Sequence, residues 1–156
     1  MSKILVIGYG NTLRRDDGLG QVAAQRIETL VQDQEVKVMV RHQMGIELAE
    51  DLRDADLSIF IDAHVGDRPG ILKVEEIVPG DVVPGSFSHH LSPGVLLGCV
   101  QALYNKHPET VVYSISAESF DHGEGLSPEV EAAVPVLIDK VFARIAAFKA
   151  RLPGSK

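Results

Sequence analysis

Apolar and polar positions along this chain switch between two periods, and the switching predicts strands and helices in alternation. Residues 3–7 form an apolar run that ends at Gly8, as in a parallel strand covered on both faces. Leu19, Val22, Ala23, Arg26, Ile27 and Leu30 then share one helical stripe, with only Arg26 polar. Val36, Val38 and Val40 alternate within 35–41 and predict a second strand. Residues 46–52 predict a short helix, and 57–61 another buried strand. The segment 70–78, opened by a Pro69-Gly70 turn, is expected to pair beside that third strand. Residues 79–91, with two prolines and two glycines, form the longest candidate loop.

Ser92-Pro93 then supplies an N-cap and a proline at the first helical position. Val95, Leu96, Cys99, Val100 and Leu103 are expected to be the buried stripe of that helix. The last strand covers 110–116, and Ser127-Pro128-Glu129 repeats the helix-start signal. A long helix follows, with Val130, Val134, Leu137, Val141, Ile145 and Phe148 on one side; Pro135 is expected to kink or divide it. There is no internal repeat or interdomain linker. The pattern predicts an α/β three-layer sandwich in a single domain, residues 1–156. Its central sheet should be twisted and mostly parallel, of about five strands, with helices on both faces.

Composition narrows the partners. The chain of 156 residues is 45% apolar and 24% charged, the balance of a soluble globule. A net charge of -7 argues against nucleic-acid and anionic-membrane partners. Cys99 is the sole cysteine, which precludes an internal disulfide or a thiolate cluster. The start lacks a signal-peptide pattern and no apolar run approaches a membrane span, so a cytoplasmic location is expected. The sequence does not fix the oligomeric state, and a monomer is the default expectation.

The first strand leads into Gly8-Tyr-Gly10, followed by Asp16 and Asp17 at a helix start. A dinucleotide-binding turn would carry a third glycine where Leu13 stands, and the paired carboxylates would repel a pyrophosphate. The loop therefore reads as a cation site, and a Rossmann-type nucleotide-binding domain ranks last. Sites on open α/β sheets form at the carboxyl ends of strands. Asp16 and Asp17 follow the first strand, Asp62 follows 57–61, and His89 precedes a helix start. Carboxylates with an imidazole suit zinc, nickel, manganese or iron. Each residue also has a structural reading: Asp16 or Asp17 as an N-cap, Asp62 as a turn cap, His89 and His90 as ordinary loop residues. Spacing leaves His64 and His122 open as ligands, and Cys99 reads as core. The Ser-Pro pairs are helix starts, since no nucleophile elbow accompanies them.

Several segments together carry a resemblance. They are Gly8-Tyr-Gly-Asn-Thr-Leu-Arg-Arg-Asp-Asp-Gly-Leu-Gly20, Gly45-Ile-Glu-Leu48, Ile61-Asp-Ala63, Ser88-His-His-Leu91, Ala117-Glu-Ser119 and Gly125-Leu-Ser-Pro-Glu-Val-Glu131. In these, and in their order, the chain resembles the hydrogenase maturation proteases, which trim the C-terminal extension from large subunits of nickel-iron hydrogenases. The resemblance implies nickel ligands at Asp17, Asp62 and His89, with His90 as the fallback. It also implies that the nickel arrives in the [NiFe]-hydrogenase large-subunit precursor, so the resting protein can be metal-free. Asp16 is then a general base or a helix cap. Arg41-His42-Gln43 stands where some members carry an Asp- and Gly-rich turn thought to select the substrate. The His-Gln variant is similar to members associated with bidirectional, NAD(P)-linked hydrogenases. A non-catalytic nickel-recognising assembly factor would use the same ligands.

Overall fold

The computed structural model describes residues 3–81 and 91–151. Its strands are β1 (Ile4–Tyr9), β2 (Val36–Arg41), β3 (Leu57–His64), β4 (Leu72–Ile77) and β5 (Glu109–Ser116). The helices are α1 (Leu19–Leu30), α2 (Leu48–Arg53), α3 (Pro93–Tyr104) and α4 (Pro128–Arg151), with a 3-10 turn at Arg15–Gly18 ahead of α1. One sheet runs β2-β1-β3-β5-β4, and only β4 is antiparallel to its neighbour.

Every residue of β1 and β3 is buried, as two-sided cover demands. Ile4, Val6, Ile59, Ile61, Val111 and Tyr113 face α1 and α4. Leu5, Ile7, Tyr9, Phe60 and Val112 face α2 and α3. The expected α/β sandwich, with helices on both sides of a mostly parallel sheet, is borne out. Among the described residues no helix is long and apolar enough to cross a membrane.

Four expectations about packing are corrected. β4 pairs with β5, not with the third strand, because β3 already has β1 and β5 on its two edges. Its charged Lys73, Glu75 and Glu76 suit the outer position, where charge discourages edge-to-edge association. Leu30, at the end of the α1 stripe, is exposed; Leu19, Gly20, Ala23, Ala24 and Ile27 make the contact. In α3 the buried stripe is Pro93, Gly94, Leu96, Leu97 and Val100, whereas Val95 and Leu103 are exposed and Cys99 is half-buried. A helix apolar nearly all round does not announce its inner face. Backbone contact chooses it: a Cβ on Gly94 would lie 1.7 Å from the Asp81 carbonyl oxygen. Finally, α4 runs undivided through Pro135. Pro135 is exposed, so the carbonyl one turn earlier that loses its partner lies on the solvent side. The predicted face of α4 is buried as expected, with Ile138 added.

Candidate functional site

The chain leaves β1 through α1 on one face of the sheet to reach β2, then returns through α2 on the other face to β3. The connections diverge between the carboxyl ends of β1 and β3, and such a topological switch point opens a crevice for ligands. Side-chain-free contacts close it from below. A Cβ on Gly20 would lie 2.3 Å from the Tyr9 carbonyl oxygen and 2.4 Å from that of Ile61. One on Gly8 would lie 2.0 Å from the Gly20 carbonyl oxygen. The first turn of α1 therefore rests on the backbone of both strands.

Asp17 reaches the crevice on the 3-10 turn, which packs against β3. Its Oδ2 accepts the Asn11 amide at 3.1 Å, and its own amide donates to Arg14 O. Gly10 has φ +140°, and a Cβ there would lie 1.9 Å from the Asp17 carbonyl oxygen. The second glycine of the loop thus serves a close backbone approach to Asp17. The Gly10 amide also donates to the Arg41 and His42 carbonyls at 3.2 and 3.1 Å. This draws the exposed Arg41, His42 and Gln43 up against the same loop.

Asp62 comes from β3, two residues before its end, and is buried. Its Oδ1 accepts the Ala63 amide at 2.8 Å and its Oδ2 accepts the Tyr9 hydroxyl at 2.9 Å. Tyr9 sits on the same face of the sheet as Phe60, one step past the last paired position of β1 and β3. Burial, then the charge of Asp62 and its hydrogen bond, then the charge of Asp17 push the phenol well above its usual pKa. The hydroxyl therefore keeps its proton and donates it to Asp62.

His64 shares the face of Asp62 by strand alternation. It is buried, its Nδ1 lies 2.8 Å from Ser114 Oγ, and burial followed by the Lys73 charge lowers its pKa against Glu75. Among the described residues no three His, Cys, Asp or Glu side chains group to hold a metal ion. His89 and His90 lie outside the described residues. His122 is exposed on the segment after β5.

Asp16 points away from the crevice chemistry and into the protein. Fully buried, it accepts the amides of Glu118 at 2.8 Å, Ser119 at 3.0 Å and Ser127 at 2.7 Å, and the Ser127 hydroxyl at 2.7 Å. Burial raises its pKa, but these bonds, led by Ser127, outweigh it and the net shift is downward. Further backbone bonds, Arg15 to Gly123 and Gly123 to Leu13, strap the turn to the segment after β5. Arg15, between them, holds φ +49°, a left-handed conformation uncommon for a side chain of its size.

Two residues escaped the sequence reading. Tyr9 falls, in the sequence, within the glycine turn after the apolar run, whereas β1 extends to include it; its signal was a hydroxyl-bearing residue at the strand's carboxyl end. Ser127 reads as a helix start, and nothing local marks it as a partner of Asp16.

Comparisons with known proteins bear on the family and the fold. No protein-family model matches the chain. The chain is 32% identical over 152 residues to a putative hydrogenase maturation protease of Methanocaldococcus jannaschii, covering 91% of this chain and 96% of that protein. It is 26% identical over 151 residues to the hydrogenase 2 maturation protease of Escherichia coli, covering 92% and 90%. Among solved structures it is similar to the hydrogenase maturating endopeptidase HybD from Escherichia coli, with a TM-score of 0.77 at 26% identity and 93% of each chain covered. A [NiFe] hydrogenase maturation protease from Thermococcus kodakarensis shares the fold, with a TM-score of 0.71 at 21% identity over 90% of each chain.

Proposed function

The chain belongs to the hydrogenase maturation protease family, and from that premise we propose that it is an endopeptidase removing the C-terminal extension of a nickel-loaded [NiFe]-hydrogenase large-subunit precursor. The observation that carries this reading is the packing of the Asp17-bearing turn against β3, the strand that carries buried Asp62, at the β1–β3 switch point, where Asp62 accepts the Tyr9 hydroxyl. Two carboxylates there form a hard donor pair with affinity for a divalent cation.

In this reading Asp17, Asp62 and His89, with His90 as fallback, bind nickel already installed in the precursor. Three side chains leave coordination positions for ligands that the precursor brings. Docking then reports that metal loading is complete before the peptide bond is cut. Arg41, His42 and Gln43 help select the precursor, since they are exposed beside the same loop. We assign Asp16 a structural role rather than that of general base. Four donors already occupy its oxygens, and a lowered pKa makes it a weak proton acceptor. The protein would act in the cytoplasm as a monomer.

The test is incubation of the purified protein with nickel-loaded and nickel-free precursor, read by mass spectrometry. Release of a C-terminal peptide from the loaded precursor alone is expected. Prior chelation of the protease, with the chelator then removed, should leave the rate unchanged. Tight binding of the loaded precursor without any released peptide would instead identify a non-catalytic assembly factor.

A further inference from the structure

We infer that Tyr9 is a positioning residue for the metal-binding carboxylates, its hydroxyl holding buried Asp62 in the orientation in which that carboxylate meets a divalent cation beside Asp17. The inference rests on the assignment of Asp17 and Asp62 as ligands. Tyr9 is only 4% exposed, and its ring stands edge-on to Phe60 with centroids 6.4 Å apart and planes at 74°. The ring is therefore set by packing on the α2–α3 side of the sheet, and the hydroxyl has a fixed point from which to donate. It donates to Asp62 Oδ2 at 2.9 Å while the Ala63 amide donates to Oδ1 at 2.8 Å. These two donors, on opposite oxygens, fix the plane of the carboxylate, and an ionised carboxylate offers about four acceptor lone pairs in all.

The chemical type of the donor matters as much as its place. A lysine or arginine at this point would orient Asp62 but also cancel the charge that attracts a metal. A neutral phenol orients the carboxylate and leaves its charge intact. Outer partners of this kind fix ligand geometry, and losing one lowers metal affinity by about 10–100-fold. Packing alone explains the ring of Tyr9. It does not explain a hydroxyl at the one carboxylate that the strand delivers to the crevice.

Tyr9→Phe keeps the ring and removes the donor. Nickel and cadmium affinities of the purified full-length protein would be measured by calorimetry, with a thermal melt to show that the variant is folded. The cobalt-substituted absorption spectrum would report ligand geometry directly. The expected result is a loss of about 10–100-fold in cation affinity with a shifted cobalt spectrum. Asp17→Ala and Asp62→Asn serve as controls. If they lose binding while Tyr9→Phe keeps the unaltered affinity and spectrum, the role of Tyr9 is overturned and the ligand assignment stands. If the controls bind as the unaltered protein does, the ligand assignment falls and the inference falls with it. Should Tyr9→Phe not fold, 4-aminophenylalanine and 4-methylphenylalanine at position 9 offer matched volumes with and without a donor. Tighter nickel binding by the amino form is expected, and equal affinities overturn the proposal.

Discussion

Ser127 holds Asp16 at two points, its amide on Oδ1 and its hydroxyl on Oδ2, each at 2.7 Å. The contact joins the turn after the first strand to the start of the last helix. Asp16→Asn should expose how much depends on it. An amide nitrogen would face N–H groups that now donate to a carboxylate, leaving buried donors unsatisfied at about 1–3 kcal/mol each. A loss of about 2–4 kcal/mol in urea unfolding is expected. The acid limb gives a second check. The folded carboxyl has a lowered pKa, so its contribution is fully present above the unfolded value of about 3.9 and is lost as pH falls below that, through the folded pKa. The variant should lose stability less steeply below about pH 4 than the unaltered protein. An identical acid limb in the two proteins would show that the carboxylate is not the source.

Asp17 is half-buried and outside both hydrophobic clusters, so its role can be separated from stability. Asp17→Ala should melt within a few degrees of the unaltered protein and lose more than about 100-fold in precursor processing, since a ligand matters more than its outer partners. Processing at the normal rate would remove Asp17 from the site.

Replacing Arg41-His42-Gln43 with an Asp- and Gly-rich turn should change which precursor is cut while leaving nickel affinity within about a factor of two, because these side chains point to solvent. Reversal of the Arg41 charge should slow association most at low salt. An unchanged rate on the original precursor would rule the segment out as a specificity element.

Gly20→Ala should be far worse than its single methyl suggests. The added carbon would meet two backbone carbonyl oxygens, at 2.3 and 2.4 Å, and neither can swing aside. A loss of about 3 kcal/mol or more is expected, with weaker nickel binding as α1 lifts from the strands. Full stability in a melt would contradict the close seating of α1.

Pro135→Ala tests the opposite kind of site. The proline is exposed within a continuous helix, so alanine restores a hydrogen bond without repacking the core. A gain of about 1–3 kcal/mol is expected, net of the lost rigidity of the unfolded chain. A destabilised variant would show that the helix is bent there by design.

The elements were legible where one physical signal dominated. The apolar runs of β1 and of 57–61 in β3 mark strands covered on both faces, and α4 shows its inner stripe because its large apolar residues recur there while its outer positions are charged or mostly small. The order of strands was less legible. The alternation in β4 marks a half-buried strand but is silent on its neighbour, and pairing depends on which edge β5 leaves open. The α3 face was hidden by uniform hydrophobicity, since Val95 and Leu103 look like core residues until the approach of Asp81 to Gly94 turns the helix. At the site, Asp17 and Asp62 stood out as carboxylates at strand ends. The difference between Asp16 and Asp17 did not, because it is decided by donors from residues 118, 119 and 127. Tyr9 was invisible for the same reason, its partner lying 53 residues away.

A ribosome makes Asp16 111 residues before Ser127. At about 5–20 residues per second, the carboxylate waits roughly 5–20 seconds in water before its main donors exist. During that interval β1, α1, β2 and β3 can assemble, but the turn carrying Asp17 lacks the bonds from residues 118, 119, 123 and 127 that strap it down. A shortened product ending before residue 118 would hold the strands and still lack every one of these straps on the turn of Asp17. Competence at the sheet edge is thus acquired late, only after the segment that follows β5 has been made.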